Sequence, residues 1–401
     1  MTLKIAVIKE RKNPPDRRVV LTPEHCEKAV RLFPQIQFKI ESSDIRVFPD
    51  DAYCEKGFEV TDDVSDCDIF LGVKEVPIDA LIPNKKYFFF SHTIKEQPYN
   101  RKLLQAILAK NIELYDHETL VDENGSRLIG FGRYAGIVGA YNCFRAIGLH
   151  DKKYSLPKVE HLPDYDTLKK ELDKISIAPH KIVLTGSGKV AHGAAEILNH
   201  LKIKQVEVDE FLNQDFDEPV FCWIDVLDYN KRKDGKQLDK YDFYNNPGEY
   251  ESNFMRFAQV ADTFIAGHFY GNGAPMFFTK EQARLPEFKI NMIADISCDI
   301  NVPIPTTIRA STIANPFYGY DPVTENETQF DAPGAITVMA VDNLPCELPK
   351  DSSEGFGEIF IKKILPSFFN NDAEKILERA VITRDGELTE RFSYLRNYVK
   401  S

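Results

Sequence analysis

The stretch Lys181-Ile182-Val183-Leu184-Thr185-Gly186-Ser187-Gly188-Lys189-Val190-Ala191 decides how this chain reads. Lys181–Thr185 is a β-branched, apolar run with the length of a buried strand, and Ala194–Leu201 beyond it has helical composition. The turn between them is G-x-G-x-x-A, the dinucleotide fingerprint. Gly186 permits the tight turn, Gly188 lets a pyrophosphate approach the backbone, and Ala191 is small enough for the helix to pack on the strand. The helix N-terminus offers its free N–H groups to phosphate. Ser187, Lys189 and Val190 complete the candidate cofactor loop, while His192 reads as a surface residue at the helix start. About twenty residues further on, where an acid would hold the adenine ribose, Glu207 and Asp209 flank the end of a short strand, Gln205–Val208. An acid there disfavours a 2′-phosphate, so the cofactor is NAD or NADP with NAD favoured; two candidate acids and no obvious anchoring Arg keep NADP open.

Upstream, the first third alternates strand candidates (Leu3–Ile8, Ile36–Ile40, Asp68–Val73, Tyr87–Phe90, Ile112–Tyr115) with helical stretches, a βαβ rhythm. Thr22-Pro23-Glu24 opens a helix with Thr22 as N-cap, and Cys26, Ala29, Val30 and Phe33 follow at helical spacing. Gly130–Gly148 is rich in small residues, as a helix closely approached by other backbone at a domain junction requires. Pro157 to Pro179 is a polar spacer with one helix, Asp166–Ile175. Downstream of the glycine loop, strands are expected near Thr263–Ala266 and Ile290–Ile296, and Gly355–Val399 reads as amphipathic helix.

With 401 residues, 43% hydrophobic and 28% charged, two globular domains are expected. The mean hydropathy of −0.33, the absence of a long apolar run and a charged start indicate neither a spanning helix nor a signal peptide, so a cytoplasmic protein is expected. Seven scattered cysteines, never spaced C-x-x-C, argue against a disulfide framework and a zinc site, so no metal is expected. A net charge of −12 would repel nucleic acid.

In open parallel sheets, ligands sit beyond the carboxyl ends of the strands. There the first third places Asp16, Arg17 and Arg18; Lys74 and Glu75; Ser91, His92, Lys95 and Gln97; and His117 and Glu118. A lysine abutting an apolar strand is partly desolvated, which moves it towards a usable base, and histidine titrates near neutrality, so Lys74 and His92 form the candidate proton-transfer pair. Arg18 offers a planar fork to a substrate carboxylate and Lys95 a second anchor.

The runs Arg18-Val19-Val20-Leu21-Thr22-Pro23, Gly72-Val73-Lys74-Glu75-Val76-Pro77, Phe90-Ser91-His92-Thr93-Ile94-Lys95-Glu96-Gln97 and Phe131-Gly132-Arg133-Tyr134-Ala135-Gly136 resemble the lysine-forming saccharopine dehydrogenases, relatives of alanine dehydrogenase. The likeness is nearest to the lysine–2-oxoglutarate reductase half of the bifunctional eukaryotic enzyme, and it continues through Ala294–Asp299 and Val341–Pro345. It implies NAD(P)-dependent interconversion of saccharopine with lysine and 2-oxoglutarate. Lys74 and His92 would carry proton transfer, Arg18, Lys95 and Gln97 would bind substrate, and Asp16 and Glu118 would balance charge, Asp16 standing where a relative has Glu. The implied fold is α/β, with two Rossmann-like domains, parallel sheets and an interdomain cleft. Its substrate domain is discontinuous, 1–135 plus 331–401, around a dinucleotide domain at 136–330. Competing readings are an alanine-dehydrogenase-like enzyme, disfavoured by Lys95, and a silent dinucleotide-binding sensor, which has no use for an acid and a base on one rim.

Overall fold

A computed structural model describes residues 2–271 and 273–400. The chain forms two compact α/β units, one made of the residues up to Phe131 together with those from Pro349 onward, the other of Gly132–Leu348. The return falls at Leu348/Pro349 and not at the expected 330/331, because Ile336–Met339 is an internal strand of the second unit's sheet.

The first unit is an eight-stranded sheet. Glu59–Thr61, Ile36–Glu41, Leu3–Val7, Ile69–Leu71, Lys86–Phe89 and Glu113–Asp116 lie parallel in that spatial order, and Val381–Arg384 and Glu387–Leu388 extend it antiparallel. Alternate residues of the first strand enter two cores: Ile5 and Val7 on one face, Ala6 and Ile8 on the other. Ile5–Ile8, covered on both faces, is apolar at every position, and the strand's one charged residue, Lys4, lies near its start, where it pairs with Asp66 at the surface. One face receives the helix Pro23–Leu32, whose Thr22 and His25 form a capping box, and Phe356, Phe360 and Ile364 from the C-terminal segment. The other receives Leu103, Leu104 and Ile107 of the helix Arg101–Ala109.

The tail departs from the all-helix expectation. The helix Pro349–Ile359 runs on to Ile364 as a wider turn, and Val381–Arg384 then joins the sheet beside Glu113–Asp116. Val381-Ile382-Thr383 is β-branched throughout and all three residues are buried, so strand pairing prevails over the surrounding helical pattern.

In the second unit, Lys204–Gln205, Val220–Ile224, Lys181–Thr185, Thr263–Ala266, Met292–Asp295 and Ile336–Met339 lie parallel, followed by antiparallel Phe317–Asp321 and Asn326–Thr328. The helices Gly132–His150 and Lys189–His200 pack on one face. They approach so closely that a Cβ on Gly136 would strike the Val190 carbonyl, and one on Gly193 the Arg133 carbonyl, which explains the small-residue stretch. A hairpin of Asn230–Arg232 and Tyr250–Ser252 brackets the short helix Lys240–Asn245 beside this sheet. Among the described residues, no helix is long and apolar enough to cross a membrane.

Candidate active site

Three neighbouring parallel strands of the first unit, Ile69–Leu71, Lys86–Phe89 and Glu113–Asp116, deliver Lys74, His92 and Glu118 to one rim. His92, Lys95 and Glu118 meet there. The His92 Nδ1 lies 3.4 Å from one Glu118 oxygen and 3.3 Å from the Lys95 ammonium, and its Nε2 lies 3.9 Å from Glu75. Lys95 and Arg127 reach the other Glu118 oxygen at 3.4 and 3.1 Å. Burial alone would raise Glu118, but its hydrogen bond to His92 and the charges of Lys95 and Arg127 outweigh that and hold it down at about 2. Glu118 is therefore an anion at any working pH. The His92 Nδ1 faces an acceptor that suits its protonated form and a donor that suits its free form, so a proton can come and go without leaving the ring unpartnered.

Asp116, passed over in the sequence reading, organises this cluster. It is fully buried, and one of its oxygens accepts from the Ser91 N–H at 2.8 Å, the Ser91 hydroxyl at 2.5 Å and the His92 N–H at 3.1 Å, while the other accepts from the Glu118 N–H at 2.7 Å. These bonds hold His92 in a left-handed backbone conformation (φ 54°) that a non-glycine residue rarely adopts. The only sequence sign was an acid at the last position of an apolar strand.

Arg18 and Asp16 form a second, buried pair. The guanidinium grips both Asp16 oxygens, Nε at 3.0 Å and Nη2 at 2.6 Å, and stacks over the Phe131 ring at 4.2 Å; each side chain is 2% exposed. Gln97 remains exposed on the His92 loop, where its backbone carbonyl accepts from the Tyr398 hydroxyl at 2.5 Å. Glu10, another residue the sequence reading missed, accepts from the Val73 and Lys74 N–H groups at 2.7 and 2.8 Å.

In the second unit the glycine loop borders a cavity of about 320 Å³, lined among others by Gly186, Gly188, Asp225, Tyr244, His268 and Phe269, with Ser187, Lys189 and Val190 on its wall. Gly186 has φ +104°, and a Cβ there would meet the Gly267 carbonyl oxygen at 2.5 Å. A Cβ on Gly188, the N-cap of the helix Lys189–His200, would meet nothing within 4 Å, so open space faces that peptide. Ala191 is buried under Gly267. His268 is buried and held neutral by burial, which pushes it down to about 3. Its Nδ1 bonds the Thr185 hydroxyl at 2.9 Å, and its Nε2 has no partner among the described residues. An orphaned buried nitrogen beside an open glycine turn and a helix N-terminus fits a phosphate-linked nucleotide.

Glu207 and Asp209 are not brought to this cavity. The strand before them, Lys204–Gln205, is the sheet edge; Glu207 caps the short helix Val208–Asn213, and both acids are exposed. Between that edge and Lys181–Thr185 lies Val220–Ile224, which comes later in the chain, and the acid at its end, Asp225, lines the cavity. The apolar run Val220–Ile224 ending in an acid was its available signal.

Comparison with known proteins agrees with this architecture. Residues 6–138 match the model of the alanine dehydrogenase/PNT N-terminal domain. The chain is 29% identical to the alpha-aminoadipic semialdehyde synthase of Arabidopsis thaliana, aligning over 99% of its own length but 42% of that protein, so it spans less than half of this longer relative. It is 26% identical to the saccharopine dehydrogenase [NAD(+), L-lysine-forming] of Yarrowia lipolytica, over 88% of this chain and 89% of that one. A solved L-alanine dehydrogenase superposes with a TM-score of 0.65 at 16% identity, covering 99% of both chains. The chain is thus similar to the lysine-forming saccharopine dehydrogenases in sequence and to alanine dehydrogenase in fold, and its residues 6–138 match the alanine dehydrogenase/PNT N-terminal domain.

Proposed function

We propose that this protein is a nicotinamide-dinucleotide-dependent dehydrogenase that interconverts saccharopine with L-lysine and 2-oxoglutarate at a carbon–nitrogen bond. The observation that carries the reading is the His92 Nδ1 set between the Lys95 ammonium and the Glu118 carboxylate on the rim that also bears Lys74. A bound dinucleotide supplies the hydride acceptor. In the lysine-forming direction, Lys74 takes the proton of the substrate's secondary ammonium, freeing the lone pair that must form the carbon–nitrogen double bond. His92 takes a proton from the water that adds to that carbon and returns it to the departing lysine nitrogen, with Glu118 stabilising the imidazolium between the two steps. Arg18 and Lys95 serve substrate carboxylates.

The test is dinucleotide oxidation with 2-oxoglutarate and a panel of amino acids, run beside pyruvate with ammonium. Turnover confined to lysine with 2-oxoglutarate is the expected result. Turnover confined to pyruvate with ammonium would transfer the chain to the alanine branch, and tight dinucleotide binding without turnover on any pair would make it a sensor.

NAD is the expected cofactor, on account of Asp225. An acid at this strand end accepts from a ribose diol and repels a 2′-phosphate. Lys240 lies 2.5 Å from one Asp225 oxygen, and the Leu227 N–H donates to the other at 2.9 Å, which fixes the carboxylate in the cavity wall. The single tryptophan, Trp223, donates from its indole nitrogen to the Gly186 carbonyl at 2.6 Å, so its fluorescence reports on the glycine loop. Titrations should show NADH binding more tightly than NADPH, and Asp225→Ser should weaken NADH by about tenfold, the worth of one charge-assisted bond, while sparing or improving NADPH. An unchanged ratio of the two affinities in that variant would remove Asp225 from cofactor choice.

A further inference from the structure

The backbone that carries Lys74 is bonded at every polar group from the Gly72 amide to the Lys74 amide. Two of these bonds belong to the sheet: the Gly72 N–H donates to the Phe88 carbonyl, and the Phe90 N–H donates to the Val73 carbonyl, both at 2.9 Å. The other three are made by side chains. One Glu10 oxygen accepts from the Val73 N–H at 2.7 Å and the other from the Lys74 N–H at 2.8 Å, while the His117 Nε2 lies 2.9 Å from the Gly72 carbonyl, to which it donates. These two side chains come from the ends of two other strands, Leu3–Val7 and Glu113–Asp116.

His117 is an expensive way to fill its position. It is fully buried between the rings of Phe90 and Phe356, each 5.0 Å away, and its Nδ1 has no partner among the described residues. An unpaired buried nitrogen costs about 1–3 kcal/mol, a cost that a phenylalanine would avoid. What histidine adds is the bond to Gly72. Burial pushes it down to about 4, so it stays neutral and keeps its proton on Nε2 for that bond. Glu10 is the mirror case. Burial first, then the Asp16 carboxylate, push it up to about 8, against the pull of the two N–H bonds and of Arg18.

We propose that Glu10 and His117 are positioning residues for proton transfer: they clamp Gly72–Lys74 from two sides, so that the Lys74 side chain leaves the strand end in one direction. The proposal rests on the reading of Lys74 as the base. A glutamate that gains a proton as the pH falls through about 8 turns one acceptor oxygen into a hydroxyl, so the clamp loosens on the acid side.

Four variants test it. Glu10→Gln turns one acceptor into an amide that cannot accept, and Glu10→Asp keeps both acceptors on a shorter stem. His117→Phe keeps the bulk and loses the donor, while His117→Gln keeps a donor. Glu10→Gln and His117→Phe should lower kcat roughly 10- to 100-fold, as sub-ångström misplacement of a reacting group does. The KM for saccharopine and the NADH affinity read by Trp223 should hold, and His117→Gln should recover most of the turnover. A readout independent of turnover is the pH dependence of Lys74 acylation by an amine-directed reagent, followed by peptide mass spectrometry; its midpoint should move in the two disruptive variants and return in His117→Gln. If these variants fold with wild-type turnover and labelling, the clamp is overturned. If Glu10→Gln fails to fold, the two His117 variants decide. If Lys74→Met keeps full turnover, the function reading fails, while the labelling midpoint still tests the clamp.

Discussion

Lys74→Met should lower kcat for saccharopine oxidation by about a thousandfold, the middle of the range for a lost general base, while leaving the fold and dinucleotide binding intact. Methionine keeps the length and apolar stem of lysine, so packing at the end of Ile69–Leu71 changes little. The Gly72–Lys74 backbone keeps its bonds to Glu10, His117, Phe88 and Phe90, because none of them uses the Lys74 side chain. The glycine loop belongs to the other unit, so the fluorescence response of Trp223 to NADH should match wild type. The loss should also remove the acid limb of the kcat/KM profile, since that limb reports the base in the free enzyme. A variant with wild-type turnover and an unaltered acid limb would take Lys74 out of the reaction. His92→Asn should fall less in the oxidation step and more in release of lysine if, as proposed, His92 acts on the water and the leaving nitrogen.

What the sequence made legible was local. The strand–turn–helix at Lys181–Ala191 and the rim residues Lys74, His92 and Glu118 follow from runs of side chains and from the rule that ligands sit beyond strand ends. What it hid depends on spatial order. Asp225 could not be preferred over Glu207 and Asp209, because the strand beside Lys181–Thr185 is Val220–Ile224, not the next one in sequence. Glu10 and Asp116 read as ordinary polar residues, and His117 as a rim residue, until the fold shows which backbone groups they serve and buries His117 beneath the rim. Val381–Arg384 reads as helix in the sequence because a short apolar run carries little periodicity, and its partner strand lies far back in the chain, at Glu113–Asp116. Arg18 was legible as a carboxylate binder but not as one already holding Asp16.

That pairing changes what should happen when Arg18 is lost. A solvent-facing anchor would only raise KM, but Arg18→Met leaves the Asp16 carboxylate in a site where both side chains are 2% exposed, without its bidentate partner. Breaking one side of such a pair costs about 3–5 kcal/mol, so the thermal midpoint should drop by several degrees. The change also reaches the base. Asp16 already helps push Glu10 up, and Arg18 opposes it, so removing the guanidinium raises Glu10 further and weakens the hold on Lys74. Adding Asp16→Asn removes the stranded charge and should restore most of the stability, since a neutral amide next to methionine carries a far smaller desolvation penalty. This double variant separates two roles that the single one confounds. With the fold restored, a KM for saccharopine still raised by about tenfold or more would mean that the guanidinium also holds a substrate carboxylate through the N–H groups that Asp16 leaves over. A normal KM would assign Arg18 wholly to Asp16 and leave Lys95, 47% exposed at the rim, as the carboxylate anchor.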